Sequence, residues 1–136
     1  MNPIIAEMQN SNKFNEYIKN IKENNAPISV LGLAGVGLEQ IVGATNAFTK
    51  SPICLITYNE LQARRVADNL KNYIDNVYFF PKREILSYDY IAESKELPYE
   101  RIEVLKKIEE KKINVLVVSI ESLMQPMISK NVLFKN

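Results

Sequence analysis

Gly32 and Gly37 stand five positions apart in the run Val30-Leu31-Gly32-Leu33-Ala34-Gly35-Val36-Gly37-Leu38-Glu39-Gln40. This is the Gly-x-x-x-x-Gly spacing of a loop whose backbone amides cradle phosphate oxygens. The chemistry of such a loop needs two side chains directly after the second glycine. A lysine brings its ammonium to the β- and γ-phosphates, and a serine or threonine hydroxyl ligates magnesium. Leu38 and Glu39 occupy those places. Leu38 brings no charge, and a Glu39 carboxylate ~4 Å from a phosphate charge costs about 1 kcal/mol per charge even at the dielectric of water. The sequence therefore predicts weak or no Mg-ATP binding at a vestigial phosphate loop made of Gly32, Gly35, Gly37, Leu38 and Glu39, with no cofactor. Within the first turn of the following helix, Glu39 can itself serve as the anion that a helix amino terminus favours. The plainer alternative is that the glycines only make a tight strand-to-helix turn, Gly43 allowing close packing further on. A dinucleotide loop fits less well: the glycines are not spaced Gly-x-Gly-x-x-Gly, and Asn59-Glu60 holds the only acidic candidate near the distance expected for ribose.

Other catalytic chemistry is limited by what the chain lacks. With no histidine and one cysteine, neither a zinc site, a Ser-His-Asp triad nor an internal disulfide can be assembled. Cys54, inside Ile53-Cys54-Leu55-Ile56, reads as a small buried residue. The apolar run Val115–Val118 is followed by Ser119-Ile120-Glu121, with no acid placed for magnesium, and Glu121 reads as a first-turn helix residue. No catalytic residue and no metal site are expected. Net charge is +1, and the pairs Arg64-Arg65, Lys106-Lys107 and Lys111-Lys112 read as solvated helix faces rather than a nucleic-acid surface. No run approaches the ~20 apolar residues of a membrane span. Met1–Asn10 lacks the pattern of a secretory signal, so the expected compartment is the cytoplasm, with no membrane partner.

The elements that must position the loop alternate helix and strand. Ser11 can cap a helix carrying Phe14, Tyr17, Ile18 and Ile21 on one face, and Asn24-Asn25-Ala26-Pro27 ends it. Ile28–Leu31 predicts a short buried strand running into the glycine loop, and Leu38–Phe48 the helix leaving it. Ile53–Thr57 is a second strand. Asn59 and Gln62 resemble a capping box opening a helix with Ala63, Val66, Ala67, Leu70 and Ile74 inward. Val77–Phe80 is a third strand, stopped by Pro81. After a loop of about 16 residues, Pro98 suits the first turn of a helix reaching Lys112, with Ile102, Leu105 and Ile108 inward and Glu103 placed to pair with Lys107. Ile113–Val118 is the fourth strand, and Ser119 caps a short helix, Glu121–Gln125. Four apolar strands separated by helices predict an α/β fold, a parallel sheet with helices on both faces, because parallel neighbours need crossovers. Length and composition suit one domain: a lead-in at 1–26, the α/β body at 27–128, and a truncated continuation at 129–136 that lacks a place in the pattern.

Beyond the loop, the strand Leu55-Ile56-Thr57-Tyr58-Asn59 leads into Gln62-Ala63-Arg64-Arg65. The run Phe80-Pro81-x-x-Glu84-x-Leu86-x-Tyr88-Asp89 follows, then Arg101-x-x-x-Leu105 before Val115-Leu116-Val117-Val118-Ser119. In that order these motifs resemble the amino-terminal module of the bacterial transcription-repair coupling factor, itself similar to the start of the excinuclease subunit UvrB. The resemblance implies a degenerate P-loop NTPase-like fold of the RecA or UvrB type. It also implies a large parent that releases RNA polymerase stalled at DNA lesions, using ATP and magnesium in a separate translocase, and that recruits UvrA. The module is then a non-catalytic recruiting scaffold, with RNA polymerase and DNA contacted elsewhere and UvrA gripped mainly by the following domain. UvrB keeps lysine and threonine after its second glycine; Leu38-Glu39 follow the degenerate pattern. UvrB also inserts a long damage-verifying hairpin after a tyrosine-rich strand end. Here Ser87-Tyr88-Asp89-Tyr90 is followed after only about ten residues by the helix around Arg101, a connection of ordinary length. Tyr88 and Tyr90 accordingly read as cover for the sheet edge rather than as base-stacking groups, since no basic groove accompanies them. Two rivals remain at this level: a weakly active P-loop ATPase or helicase half of UvrB-like nucleotide-binding type, and an interaction domain unrelated to repair.

Overall fold

A computed structural model describes residues 1–83 and 96–133. Asn2 caps a short helix α1, Pro3–Glu7, by accepting from the Ile4 amide at 2.9 Å, and a 3-10 turn, Met8–Asn10, follows. These two elements were not apparent from the pattern. As expected, the Ser11 hydroxyl accepts from the Phe14 amide and opens α2, Asn12–Lys22. Asn24, at φ 57°, then turns the chain left-handed, a conformation asparagine tolerates better than most residues. Phe14 and Ile18 of α2 pack with Ile5 of α1 and Ala44 of α3, Gly37–Thr49, and the Phe48 ring meets Phe14 edge-on at 5.5 Å. This cluster seats the lead-in helices on α3 rather than on the sheet.

Among the described residues the sheet has three strands, β1 Ile53–Thr57, β2 Val77–Phe80 and β3 Val115–Ser119, all parallel in the order β1-β3-β2. Ile53 and Val77 both lie opposite Val115, so the three strands start level; β1 and β3 end together at Thr57 and Ser119, and β2 stops one residue earlier, Phe80 lying opposite Val118. Crossovers come from α4, Glu60–Leu70, and α5, Glu96–Glu109; α6, Ile120–Leu123, and α7, Lys130–Leu133, follow β3. One sheet face buries Val77, Val115 and Val117 against Ala63, Val66, Ala67 and Leu70 of α4, with Val42 and half-buried Leu38 of α3 beside them. The opposite face packs Phe80 and Val118 against Val104 of α5. Helices thus cover both faces, as the alternating pattern predicts. α4 is placed by its cap: Asn59 Oδ1 accepts from the Gln62 amide at 2.8 Å.

Four expectations are corrected. Ile28–Leu31 is not a strand: residues 25–34 have no regular structure, and Leu31 is 91% exposed. A strand exists through its neighbours, and no backbone group among the described residues pairs with this segment. Cys54 is exposed, because β1 is an edge strand and its residues 54 and 56 point to the face that α5 covers only over β2 and β3. Neighbouring atoms still desolvate the thiol enough to push its pKa up, which disfavours the thiolate. The inward face of α5 is set by Arg101 and Val104; Ile102 and Leu105 are half-buried and Ile108 is 40% exposed. Lys107 meets Glu110 at 4.0 Å rather than Glu103. The motif residues Glu84, Leu86, Ser87, Tyr88, Asp89 and Tyr90 lie outside the described residues, as does the chain end from Phe134.

Candidate functional site

The glycine loop is the first candidate. Gly32 and Gly35 adopt φ 82° and 57°, conformations that cost residues with a Cβ about 1 kcal/mol or more, which accounts for glycine at both places. Nothing lies within 4 Å of a Cβ built on either, so close approach of another group is not the reason. The amide of Gly37, one of those an anion nest would use, donates to the Ala34 carbonyl at 3.0 Å and closes a local turn. The Leu33 side chain lies 3.5 Å from the place a Gly37 Cβ would take. A phosphate loop draws its geometry from a strand held in a sheet before it. That strand is missing here.

The two positions after Gly37 turn into the core. Leu38 packs against the cluster around Val42, and Glu39 is only 5% exposed, its Oε1 accepting from Asn69 Nδ2 of α4 at 3.1 Å. Its Oε2 is buried without a hydrogen-bond partner among the described residues. Glu39 stays in the first turn of α3, where the helix dipole favours a negative group. The carboxylate therefore ties two helices together and is not presented to a ligand.

The second candidate lies at the carboxyl ends of the strands, where open parallel sheets usually bind ligands. Its centre is Arg101, 5% exposed. Nη1 donates to the Pro81 carbonyl at 2.7 Å, to Ser122 Oγ at 3.1 Å and to Gln125 Oε1 at 3.3 Å, and the guanidinium lies 4.2 Å from the centroid of the Phe80 ring. Burial is the main cause lowering its pKa, Arg83 adds to the lowering, and the Glu60 carboxylate opposes it. Gln125 completes the arrangement: its Oε1 accepts from the Arg83 amide at 2.6 Å and its Nε2 donates to the Arg83 carbonyl at 2.9 Å. A side-chain carboxamide thus pairs with backbone as a neighbouring strand would. Lys82 meets Glu121 at 3.1 Å nearby. Together these contacts fix residues 81–83 as they leave β2, and Arg101 acts as a clamp.

Sequence reasoning quoted Arg101 only as a motif residue and gave it no role. A usable signal was present: Arg101, Val104 and Leu105 follow the i, i+3, i+4 spacing of one helix face, with an arginine beside the apolar residues. Glu121, expected in a first helical turn, is there in α6. Among the described residues, no three histidine, cysteine, aspartate or glutamate side chains come together in a way that could hold a metal ion. Among those residues no helix is long and apolar enough to cross a membrane.

No protein-family model matches the chain. Curated relatives do: a transcription-repair-coupling factor of Bacillus subtilis (strain 168) is 28% identical over 110 residues, which is 79% of this chain and 9% of that protein. One of Staphylococcus haemolyticus (strain JCSC1435) is 28% identical over 126 residues, 90% of this chain and 11% of that protein. This chain resembles transcription-repair coupling factors. The likeness runs through almost the whole chain, while the chain spans only about a tenth of the length of these coupling factors. No solved structure matches, so the α/β fold with its parallel sheet stands on the geometry above.

Proposed function

We propose that this chain is the UvrB-like module of a transcription-repair coupling factor and serves there as a non-catalytic scaffold. The observation that carries this reading is the fate of Leu38 and Glu39: one packs into the core and the other bonds to Asn69, so the two positions that would hold phosphate and magnesium serve to join α3 to α4. The likeness to coupling factors over 79% and 90% of the chain supplies the context. In this reading residues 27–128 form a degenerate P-loop-like domain, 1–26 brace it through α3, and 129–136 lead toward the next domain. The module binds no cofactor; ATP and magnesium belong to the parent's motor. The parent acts in the cytoplasm, releases RNA polymerase stalled at lesions and recruits UvrA, mainly through the domain that follows. The rival reading, a weakly active ATPase, gains no support from a loop whose Gly37 amide is already spent on Ala34. The test is capture of purified UvrA by the parent polypeptide at low salt. Capture is expected, and its failure contradicts the assignment.

A further inference from the structure

Among the described residues β2 is the outer strand of the sheet on the side away from β1, and its edge, unpaired by any of them, floors a groove of about 520 Å3 between α4 and α5. The ladder to β3 shows which groups face that groove. Asn76 contributes its carbonyl to Val115 at 3.4 Å, and in a parallel strand alternate residues point the same way. Val77 and Phe79 therefore turn their amides and carbonyls outward, and no backbone group among the described residues pairs with them. Such an edge is a ready template for another strand. The walls differ in charge. On the α4 side Asp68 and Lys71 neutralise one another at 3.2 Å, leaving Arg64, which lies 4.8 Å from the Phe79 ring centroid, opposed by the Asp75 carboxylate that lines the groove where α4 leads into β2. On the α5 side stand two exposed carboxylates, Glu100 and Glu103, one helical turn apart and without an ion-pair partner among the described residues.

We infer that the β2 edge is a docking site for an extended peptide segment with basic residues at alternate positions. A strand added to β2 points successive side chains to opposite faces, so basic residues meet Glu100 and Glu103 while the intervening apolar residues lie toward α4 and Ile74. Main-chain hydrogen bonds to Val77 and Phe79 supply sequence-independent affinity, and the α5 carboxylates supply selection. This inference does not rest on the coupling-factor reading, because it uses only the edge and its walls.

The test titrates the isotopically labelled 136-residue chain with a capped octapeptide alternating valine and lysine, and with its valine-glutamate counterpart. Amide exchange at Val77 and Phe79 is expected to slow at least about tenfold at saturation with the lysine peptide, and the glutamate peptide to bind about tenfold more weakly. The double substitution Glu100→Lys, Glu103→Lys, both on exposed positions, is expected to reverse that preference. Absence of binding at millimolar peptide, binding that leaves the Val77 and Phe79 amides unprotected, or a preference unchanged by the charge reversal would each overturn the inference.

Discussion

Replacing Arg101 by alanine is expected to destabilise the chain by about 3 kcal/mol, a figure built from its contacts. The Pro81 carbonyl loses a donor at 2.7 Å and Ser122 Oγ one at 3.1 Å, both in buried surroundings. A buried acceptor left unpaired costs about 1–3 kcal/mol. Loss of the stacking on Phe80 adds about 0.5–2 kcal/mol. The net is smaller than the sum, because the wild-type guanidinium is itself desolvated and its Nη2 is buried without a hydrogen-bond partner among the described residues, and alanine relieves both costs. A folded domain of this size has about 5–15 kcal/mol in all, so the change is large. Urea denaturation followed by circular dichroism measures it as a fall in the midpoint of about 1–2 M at unchanged slope. Amide exchange at Arg83, held by Gln125, should accelerate as well, since Arg101 and Gln125 share a hydrogen bond at 3.3 Å. A loss below about 1 kcal/mol with Arg83 exchange unchanged would refute the clamp.

Two further outcomes follow from single side chains. Glu39→Gln keeps an acceptor for Asn69 but removes the charge at the start of α3, so a loss of about 1 kcal/mol is expected in thermal melts, and an unchanged melting temperature would contradict the role given to Glu39. Glu110 has its pKa held below the usual 4.5, first by a hydrogen bond from Lys112 and then by the Lys112 charge. Its folded value lies below its unfolded one, so its contribution is complete above about pH 4.5 and fades as pH falls through the lower folded value. Carboxyl NMR titration should show this lowering at low salt, and Lys112→Ala should bring the value back toward 4.5; an unmoved value sinks the attribution.

The sequence made legible whatever local patterning decides. β1 and β2 fall where their apolar runs lie, and Ser11, Asn59 and Ser119 cap the helices they precede. Misreadings arose where a neighbour decides. Ile28–Leu31 has the composition of a strand but no backbone partner among the described residues, and Cys54 sits in an apolar run on the strand that α5 does not reach. The phase of α5 was set by an arginine that apolar counting skips, because its Nη1 is bonded by groups 20 to 24 residues away in sequence. Leu38 and Glu39 show in the sequence that the loop lacks the lysine and hydroxyl of a phosphate site, but burial of Glu39 against Asn69 depends on a contact 30 residues distant.

Calorimetric titration of the chain with Mg-ATP tests the proposed non-catalytic reading most directly, since Leu38 and Glu39, turned into packing, supply neither the lysine nor the hydroxyl that holds a triphosphate. No heat of binding is expected at nucleotide concentrations up to about 1 mM, which corresponds to less than about 4 kcal/mol of affinity. Saturable binding at micromolar nucleotide, abolished by Gly37→Val, would contradict the account.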